Sequence, residues 1–477
     1  MSYDNKASRK SSASKRRAYI ITAAQNVTPI HKNFWASLMQ AVQYYNAELK
    51  VIPGRYRNPT SHWTQNNESD EAWADEVMPY LCKDRISLNE RIMILGDIKV
   101  QWATGSPLAQ LDALTKGKSG VVGHPNRALR SIATPQHKQP KIMFTTGACT
   151  IGNYTDTKRG KIGASNHCLG ALIVEIDGDV FYARQLNADK YGCFIDLDVE
   201  FTPTGVKRAQ RALSLTPGDV HDRWKRPDVV RATFTAKDSM MKRLRPKYLV
   251  VNDLADAYAR NHHHRDDWPT RFGIWKFGIE SVEDEIRDSI RFLNHIIPDY
   301  CRGVVVSCNH HDAILKYIKE SDFRFDSPNT IFFLKSALEI AESVRRGTGG
   351  ITYNDPFIAC AKKYAKKNIR FLKRGESFVL ANVEYSLHGD KGPNGVRGTT
   401  KNLSALGVKV SKGHDHNAGI IDGCYSTGVC TGPLEYEGGG PSSHSNAHVI
   451  QYANGKRVIL FVINGRYCLP RPAPPEE

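Results

Sequence analysis

The chain has 477 residues, 40% of them hydrophobic and 24% charged, with 66 Lys and Arg against 49 Asp and Glu for a formal net charge of +17. That length exceeds one ordinary core and points to two or three domains, and no apolar run approaches the roughly 20 residues that span a bilayer. The positive balance favours a polyanionic partner, nucleic acid above all.

Residues 1–17 place Lys6, Arg9, Lys10, Lys15, Arg16 and Arg17 among serines with nothing apolar to bury, which reads as a solvated, disordered basic tail. No apolar segment of secretory type follows it, so a cytoplasmic location is expected. "AYIITAAQ" reads as a strand. "KNFWASLMQAVQYY" carries Phe34, Leu38, Val42 and Tyr45 at helical spacing, and "ELKVI" reads as the next strand, so the opening is an α/β unit. Strand-like runs continue to about residue 205, with "IDGD" a hairpin turn between two of them. "KGKSGVVGHPNRALRS" and "GNYTDTKRGKIGASNHC" read as polar loops, and the His and Lys of this half read as surface rather than site. Residues 18–205 are thus expected to form an N-terminal α/β or α+β accessory domain, without catalytic residues.

From residue 206 the texture changes. Apolar strands end in loops rich in His, Asp and Asn, and "SVEDEIRDSIRFLNHII" and "TIFFLKSALEIAESVRR" read as helices between them. This second domain is drawn over 206–465, with 466–477, ending "LPRPAPPEE", as a solvated tail. The ten cysteines form no CxxC pair and read as reduced, mostly buried thiols, which excludes a zinc ribbon.

Five short elements carry chemistry. "LTPGDVHDRW" holds Asp219 and His221, "YLVVNDLADAY" holds Asp253 and Asp256, and "GVVVSCNHHDAI" holds Asn309 and His310. "VEYSLHGD" holds His388, and "SKGHDHNAGI" holds His414 and His416. Taken singly, each is weak, because Asp at a strand end commonly caps a helix or forms a turn. Together they bring imidazole, carboxylate and amide groups to the ends of several strands. Such a mixed N/O set exceeds the needs of one ion and suits two ions sharing a carboxylate.

The ordered pattern D-x-H, [GN]-D-x-x-D, N-H, H, G-H-x-H resembles the calcineurin-like metallophosphoesterase superfamily over roughly residues 206–465. The resemblance implies a four-layer β-sandwich flanked by helices, preceded here by the separate N-terminal domain. It implies two divalent ions, read as Mn²⁺ with Mg²⁺, Zn²⁺ and Fe as alternatives. Asp219, His221 and His416 would hold one ion, Asn309, His388 and His414 the other, and Asp253 would bridge them. His310 would face the substrate as proton donor or phosphate contact, with Asp256 behind it. Three positions depart from the pattern: Asn252 replaces the usual Gly, Cys308 the Gly before Asn-His, and His311 the usual acid. The resemblance extends to the nuclease branch, including phage-encoded DNA-transfer and DNA-degrading members, which places such a protein in a host cytoplasm.

Residues near the motifs suggest the substrate. Arg223, Lys225 and Arg226 could meet flanking phosphates, and Trp224 could stack on a base. His264 in "ARNHHHRDDWP" and Arg397 in the Gly-rich loop after His388 are further candidate contacts, with a plain polar surface as the competing reading of each. His444 and His448 are not expected to be ligands. The leading expectation is a Mn-dependent DNase acting on nucleic acid, with homo-oligomerisation open. The competing expectations are a phosphomonoesterase acting on protein or nucleotide esters, and a non-catalytic nucleic-acid-binding protein.

Overall fold

The computed structural model describes residues 17–58, 72–135, 139–347, 353–434 and 439–471. The basic tail expected over 1–17 lies outside these residues except for Arg17, which begins a strand. Among the described residues the fold is mixed α/β, and no helix is long and apolar enough to cross a membrane.

Two large sheets carry the motifs. The first has six strands in the order Ile369–Phe371, Arg302–Val305, Tyr248–Val251, Ser214–Thr216, Ala447–Gln451 and Arg457–Phe461, the first four mutually parallel. Alternation along Tyr248–Val251 sends Leu249 and Val251 to one face and Val250 to the other. Leu249 and Val251 pack against the expected helix Val282–Ile296 through Ile286, Ile290 and Leu293. Ser281 caps that helix by accepting from Asp284 N, with Glu283, Asp284 and Glu285 in its first turn, as the dipole favours. Val250 instead meets Val304, Leu380, Val383 and Tyr385, which belong to both large sheets or to the chain beside them.

The second sheet has ten strands. Val379–Leu380, Val383–Glu384, Lys409–Lys412, Cys424–Ser426 and Gly419–Ile421 form one side, and Leu129–Ile132, Lys141–Thr145, Ser119–Val122, Ile92–Leu95 and Arg85–Ser87 the other. The sides are joined by antiparallel pairing of Gly419 with Arg130 and Ile420 with Leu129. The division expected at residue 205/206 therefore cuts through a shared sheet rather than between two sheets.

A third sheet joins Ala47–Gly54, Arg17–Gln25, Gly170–Asp177 and Val180–Asn187, the last two as the expected "IDGD" hairpin. It buries Ile20 against the helix Lys32–Tyr45 and Ile21 against the large sheets.

Two loop expectations are corrected. "KGKSGVVGHPNRALRS" supplies the strands Ser119–Val122 and Leu129–Ile132, and "GNYTDTKRGKIGASNHC" supplies the helix Lys158–Asn166. His124 and Lys141 are buried rather than superficial, and burial pushes the His124 imidazole down to about 4. The expected solvated end is held down as far as it is described: Leu469 is buried, and Arg471 enters a buried ion cluster. Its guanidinium lies 2.7 Å from Glu175 and 3.0 Å from Asp196, both also paired with Arg184.

Candidate metal centre

The motif residues leave the C-terminal ends of parallel strands in both large sheets, where an open α/β sheet forms its crevice. Asp219 follows Ser214–Thr216, Asp253 follows Tyr248–Val251, and Asn309 opens the helix after Arg302–Val305. His388 follows Val383–Glu384, and His414 and His416 follow Lys409–Lys412. Backbone hydrogen bonds tie these exits together: Val220 N to Asn252 O at 3.1 Å, His221 N to Asp253 O at 2.7 Å, and Gly413 N to His388 O at 3.0 Å.

The backbone is strained at this point. His221 (φ 42°), Asp253 (φ 42°), His414 (φ 71°) and His416 (φ 56°) all occupy the left-handed region. Each such non-glycine residue costs about 1–3 kcal/mol and persists only where its surroundings over-determine it. Four of the sixteen left-handed non-glycine residues among the described residues are thus candidate ligands.

The side chains converge in two groups that share Asp253. Asp219, His221, Asp253 and His416 offer donor atoms within 4.8 Å of one another, and so do Asp253, His388 and His414. His221 Nε2 is 3.1 Å from His416 Nε2 and 3.7 Å from Asp253 Oδ2. His416 Nε2 is 3.3 Å from Asp219 Oδ2, and His388 Nε2 is 3.1 Å from Asp253 Oδ2. Asn309 has its Oδ1 buried without a hydrogen-bond partner, as have Asp219 and Asp253. Buried oxygens of this kind are costly unless something cationic meets them. The donor set is imidazole, carboxylate and amide without thiolate, which fits two hard or borderline divalent cations.

The protonation pattern agrees. Burial alone would raise the Asp253 carboxyl, but His388 and His310 outweigh it and hold it well below the usual range. Asp219 is also lowered, burial being outweighed by His416 and His388. Burial would lower His221, yet Asp256 and then Asp253 and Asp219 push it up to about 9. His414 is pushed down to about 4, chiefly by burial and then by His388. A proton on the raised His221 imidazole therefore helps balance the carboxylates here, and a cation would displace it.

Outer groups aim the inner ones. His221 Nδ1 lies 2.5 Å from Asp256 Oδ1, the carboxylate–histidine pairing that fixes ring orientation at metal sites. Asn252, at the position of the usual Gly, places its Oδ1 3.3 Å from His388 Nδ1 and does the same for that ring. Gly413 has no room for a side chain, since a Cβ would sit 2.1 Å from Asp219 Oδ1. Asp415 turns away from the cluster, its Oδ2 lying 2.6 Å from the buried Lys412 Nζ and 3.2 Å from Thr400 Oγ1.

His310 is partly exposed. Its Nδ1 is 3.3 Å from the Asp256 carbonyl and its Nε2 4.0 Å from Asp253 Oδ2. His311, in the usual acidic position, stacks on Phe357 at 3.6 Å as a buried neutral ring pushed down to about 3 by burial. The next residue, Asp312, pairs with Arg374 at 2.8 Å, and Arg374 in turn reaches Asp390.

The candidate substrate contacts are more scattered. Lys225 Nζ is 2.7 Å from Asp222 and Arg226 is 2.7 Å from Asp228, so both cations are already paired. Arg223 lies over the Tyr258 ring. His264 Nδ1 is 3.1 Å from the Tyr258 carbonyl, within its own loop. Arg397 is exposed and only 3.5 Å from Asp415.

Sequence reasoning missed Asn252 and Lys412 as supports, because only their neighbours in space reveal the task. His448 has a structural role: its Nδ1 accepts from Gly218 N at 2.9 Å, bracing the turn before Asp219. His444 stands with its ring 4.9 Å from that of His416.

No family model matches the chain. It is 30% identical over 466 residues to protein A1 of Escherichia phage T5, across 94% of this chain and 83% of that protein. A solved structure of Chaetomium thermophilum Vps29 with a cyclic peptide is 10% identical, covering 37% of this chain and 92% of that one, at a TM-score of 0.21. A score that low bears on neither fold nor function.

Proposed function

We propose that this chain, which belongs to the family of protein A1 of Escherichia phage T5, is a two-metal phosphodiesterase that hydrolyses nucleic acid, most simply a Mn²⁺-dependent DNase. The observation that carries this reading is the pair of His/Asp groups sharing Asp253, whose carboxylate is fully buried and whose Oδ1 has no hydrogen-bond partner. Asp219, His221 and His416 would hold one cation, Asn309, His388 and His414 the other, and Asp253 would bridge. Bound there, two such ions activate water as a nucleophile and neutralise phosphate charge.

The chain's own groups do the rest. His310 Nδ1 meets the Asp256 carbonyl and Nε2 faces Asp253, so the ring, when protonated at both nitrogens, would give its Nε2 proton to the departing oxygen. It lies in the first turn of the helix Asn309–Glu320, whose unpaired N–H groups favour an approaching phosphate. Arg397 and Arg223 would meet flanking phosphates in this reading, and the net charge of +17 suits a long polyanion. Residues 206–465 are the catalytic part in this reading and 18–205 the accessory part, acting in a host cytoplasm.

The test is hydrolysis of plasmid DNA, linear DNA and p-nitrophenyl phosphate with Mn²⁺ or EDTA, wild type beside Asp253→Ala and His310→Ala. Mn²⁺-dependent DNA cleavage lost in both variants supports the reading. Monoester turnover with DNA left intact would replace it with a phosphomonoesterase.

A further inference from the structure

The helix Trp268–Lys276 buries one side chain, Ile274. Around it stand four large aromatics in solvent: Trp268 75% exposed, Phe272 55%, Trp275 60% and Phe277 76%. Trp268, Phe272 and Trp275 fall at i, i+4 and i+7, on one face of the helix. The Phe272 and Trp275 rings stand 5.5 Å apart. Soluble chains seldom leave a contiguous apolar patch of this kind without a partner.

The face does not stand alone. A cleft of about 480 Å³ beside it is lined by Phe272, Trp275, His264, Arg265, Arg271 and Lys316 among others, with Glu280 and Glu320 also in its wall. From that cleft rings continue toward the metal centre. His264 meets Tyr258 at 4.5 Å and Tyr258 meets Trp224 at 5.2 Å, with Arg223 over Tyr258 at 5.7 Å. Tyr258 follows Asp256 by two residues and Trp224 follows His221 by three, so the inner end of this row is fastened to the residues that hold the site.

We propose that the aromatic helix and this row of rings form a stacking platform for single-stranded nucleic acid, leading the strand to the metal centre. The inference rests on the nucleic-acid reading above and narrows its substrate to segments with unpaired bases. Bases stack on aromatic faces without regard to sequence, while neighbouring Arg and Lys follow the phosphates. A duplex hides its base faces and gives such rings nothing to stack on. Charge selects this occupant over a second copy of the chain. Arg271 and Lys276 stand among the rings, Arg265 being paired with Asp266 at 3.9 Å, and a two-fold contact through this face would set those two cations against their own copies. The adjacent Asp267 is occupied as the helix cap, accepting from Thr270 N.

The test uses the full chain in EDTA, a fluorescent 15-mer of oligo-dT and a 15-bp duplex, with binding read by anisotropy and tryptophan quenching. Wild type is expected to bind oligo-dT more tightly than the duplex. The Trp268→Ala/Trp275→Ala variant is expected to lose about 10- to 100-fold in oligo-dT affinity. Its duplex affinity, and its turnover of bis(p-nitrophenyl) phosphate with Mn²⁺, should match wild type. Arg271→Glu, an exposed change that keeps both tryptophans, is expected to weaken oligo-dT binding and flatten its salt dependence. Unchanged oligo-dT affinity in both variants overturns the platform. So does a fall in sedimentation mass of the tryptophan variant without loss of strand affinity, which would make the face a contact between copies. Strand binding lost in the variants while wild type hydrolyses no phosphodiester would sink the catalytic reading and leave the platform standing.

Discussion

Replacing Gly413 with alanine perturbs the metal centre by a single methyl group. The added Cβ would sit 2.1 Å from Asp219 Oδ1 and 3.0 Å from Asn252 Cβ. Ordinary contact begins near 3.4 Å, so the carboxylate must retreat by roughly 1.3 Å. It has little freedom to do so, because Asp219 is fully buried and its Oδ2 accepts from His414 N at 2.6 Å. Metal–ligand distances tolerate only about 0.2 Å, and a misplacement near 1 Å costs about 10²-fold in rate. Gly413→Ala is therefore expected to weaken Mn²⁺ binding at the Asp219–His221–His416 group by at least 10-fold and to cut hydrolysis about 10²-fold. Overpacking would lower stability by only about 1–3 kcal/mol, leaving a folded chain. The assay is calorimetric Mn²⁺ titration beside a urea melt, with Gly105→Ala, where a Cβ meets nothing within 4 Å, as control. Wild-type Mn²⁺ affinity and stoichiometry in Gly413→Ala would refute the assignment of Asp219 as a ligand.

Asp256→Asn should lower metal affinity by about 10- to 100-fold, because it removes the carboxylate that orients His221, and metal titration of the folded variant checks this. Arg471→Met leaves Glu175 and Asp196 short of one buried partner and should cost about 3–5 kcal/mol in a urea melt; a loss under about 1 kcal/mol would show the cluster to be dispensable. Stability in EDTA should peak near pH 6.5. Below that, His124 and His448, held by burial near 4 and 3, resist a proton that the unfolded chain accepts, so each lowers stability by up to about 1.4 kcal/mol per pH unit. Above it, His221, raised to about 9, loses in the folded state a proton that the unfolded chain has already released, so its contribution fades as pH climbs toward 9. Urea midpoints from pH 4.5 to 9 that stay flat would contradict both arms.

The convergence of the candidate residues was largely legible because they sit at the ends of short apolar strands in a fixed order, and order survives in one dimension. The helix Val282–Ile296 was legible for a similar reason: its apolar residues recur every three or four positions over four turns. Ser119–Val122 and Leu129–Ile132 were not, since four-residue strands bearing Gly, Ser and Arg show no period, and their partners lie elsewhere in the chain. Nor could sequence reveal that Asn252 braces His388, that Lys412 meets Asp415 in the interior, or that four aromatics of one helix face water. Those facts depend on which distant segments meet. The Arg471 clasp was hidden by its setting, a proline-rich end that reads as solvent-facing until the ion cluster it completes is seen.

The central claim is that Asp253 bridges two cations, and metal stoichiometry tests it most directly. Equilibrium dialysis of the full chain against Mn²⁺ with elemental analysis should give two ions per chain in wild type, with Asp253→Ala losing at least one and weakening the other. One ion or none per chain in wild type, or two retained with wild-type affinity in Asp253→Ala, would contradict the account.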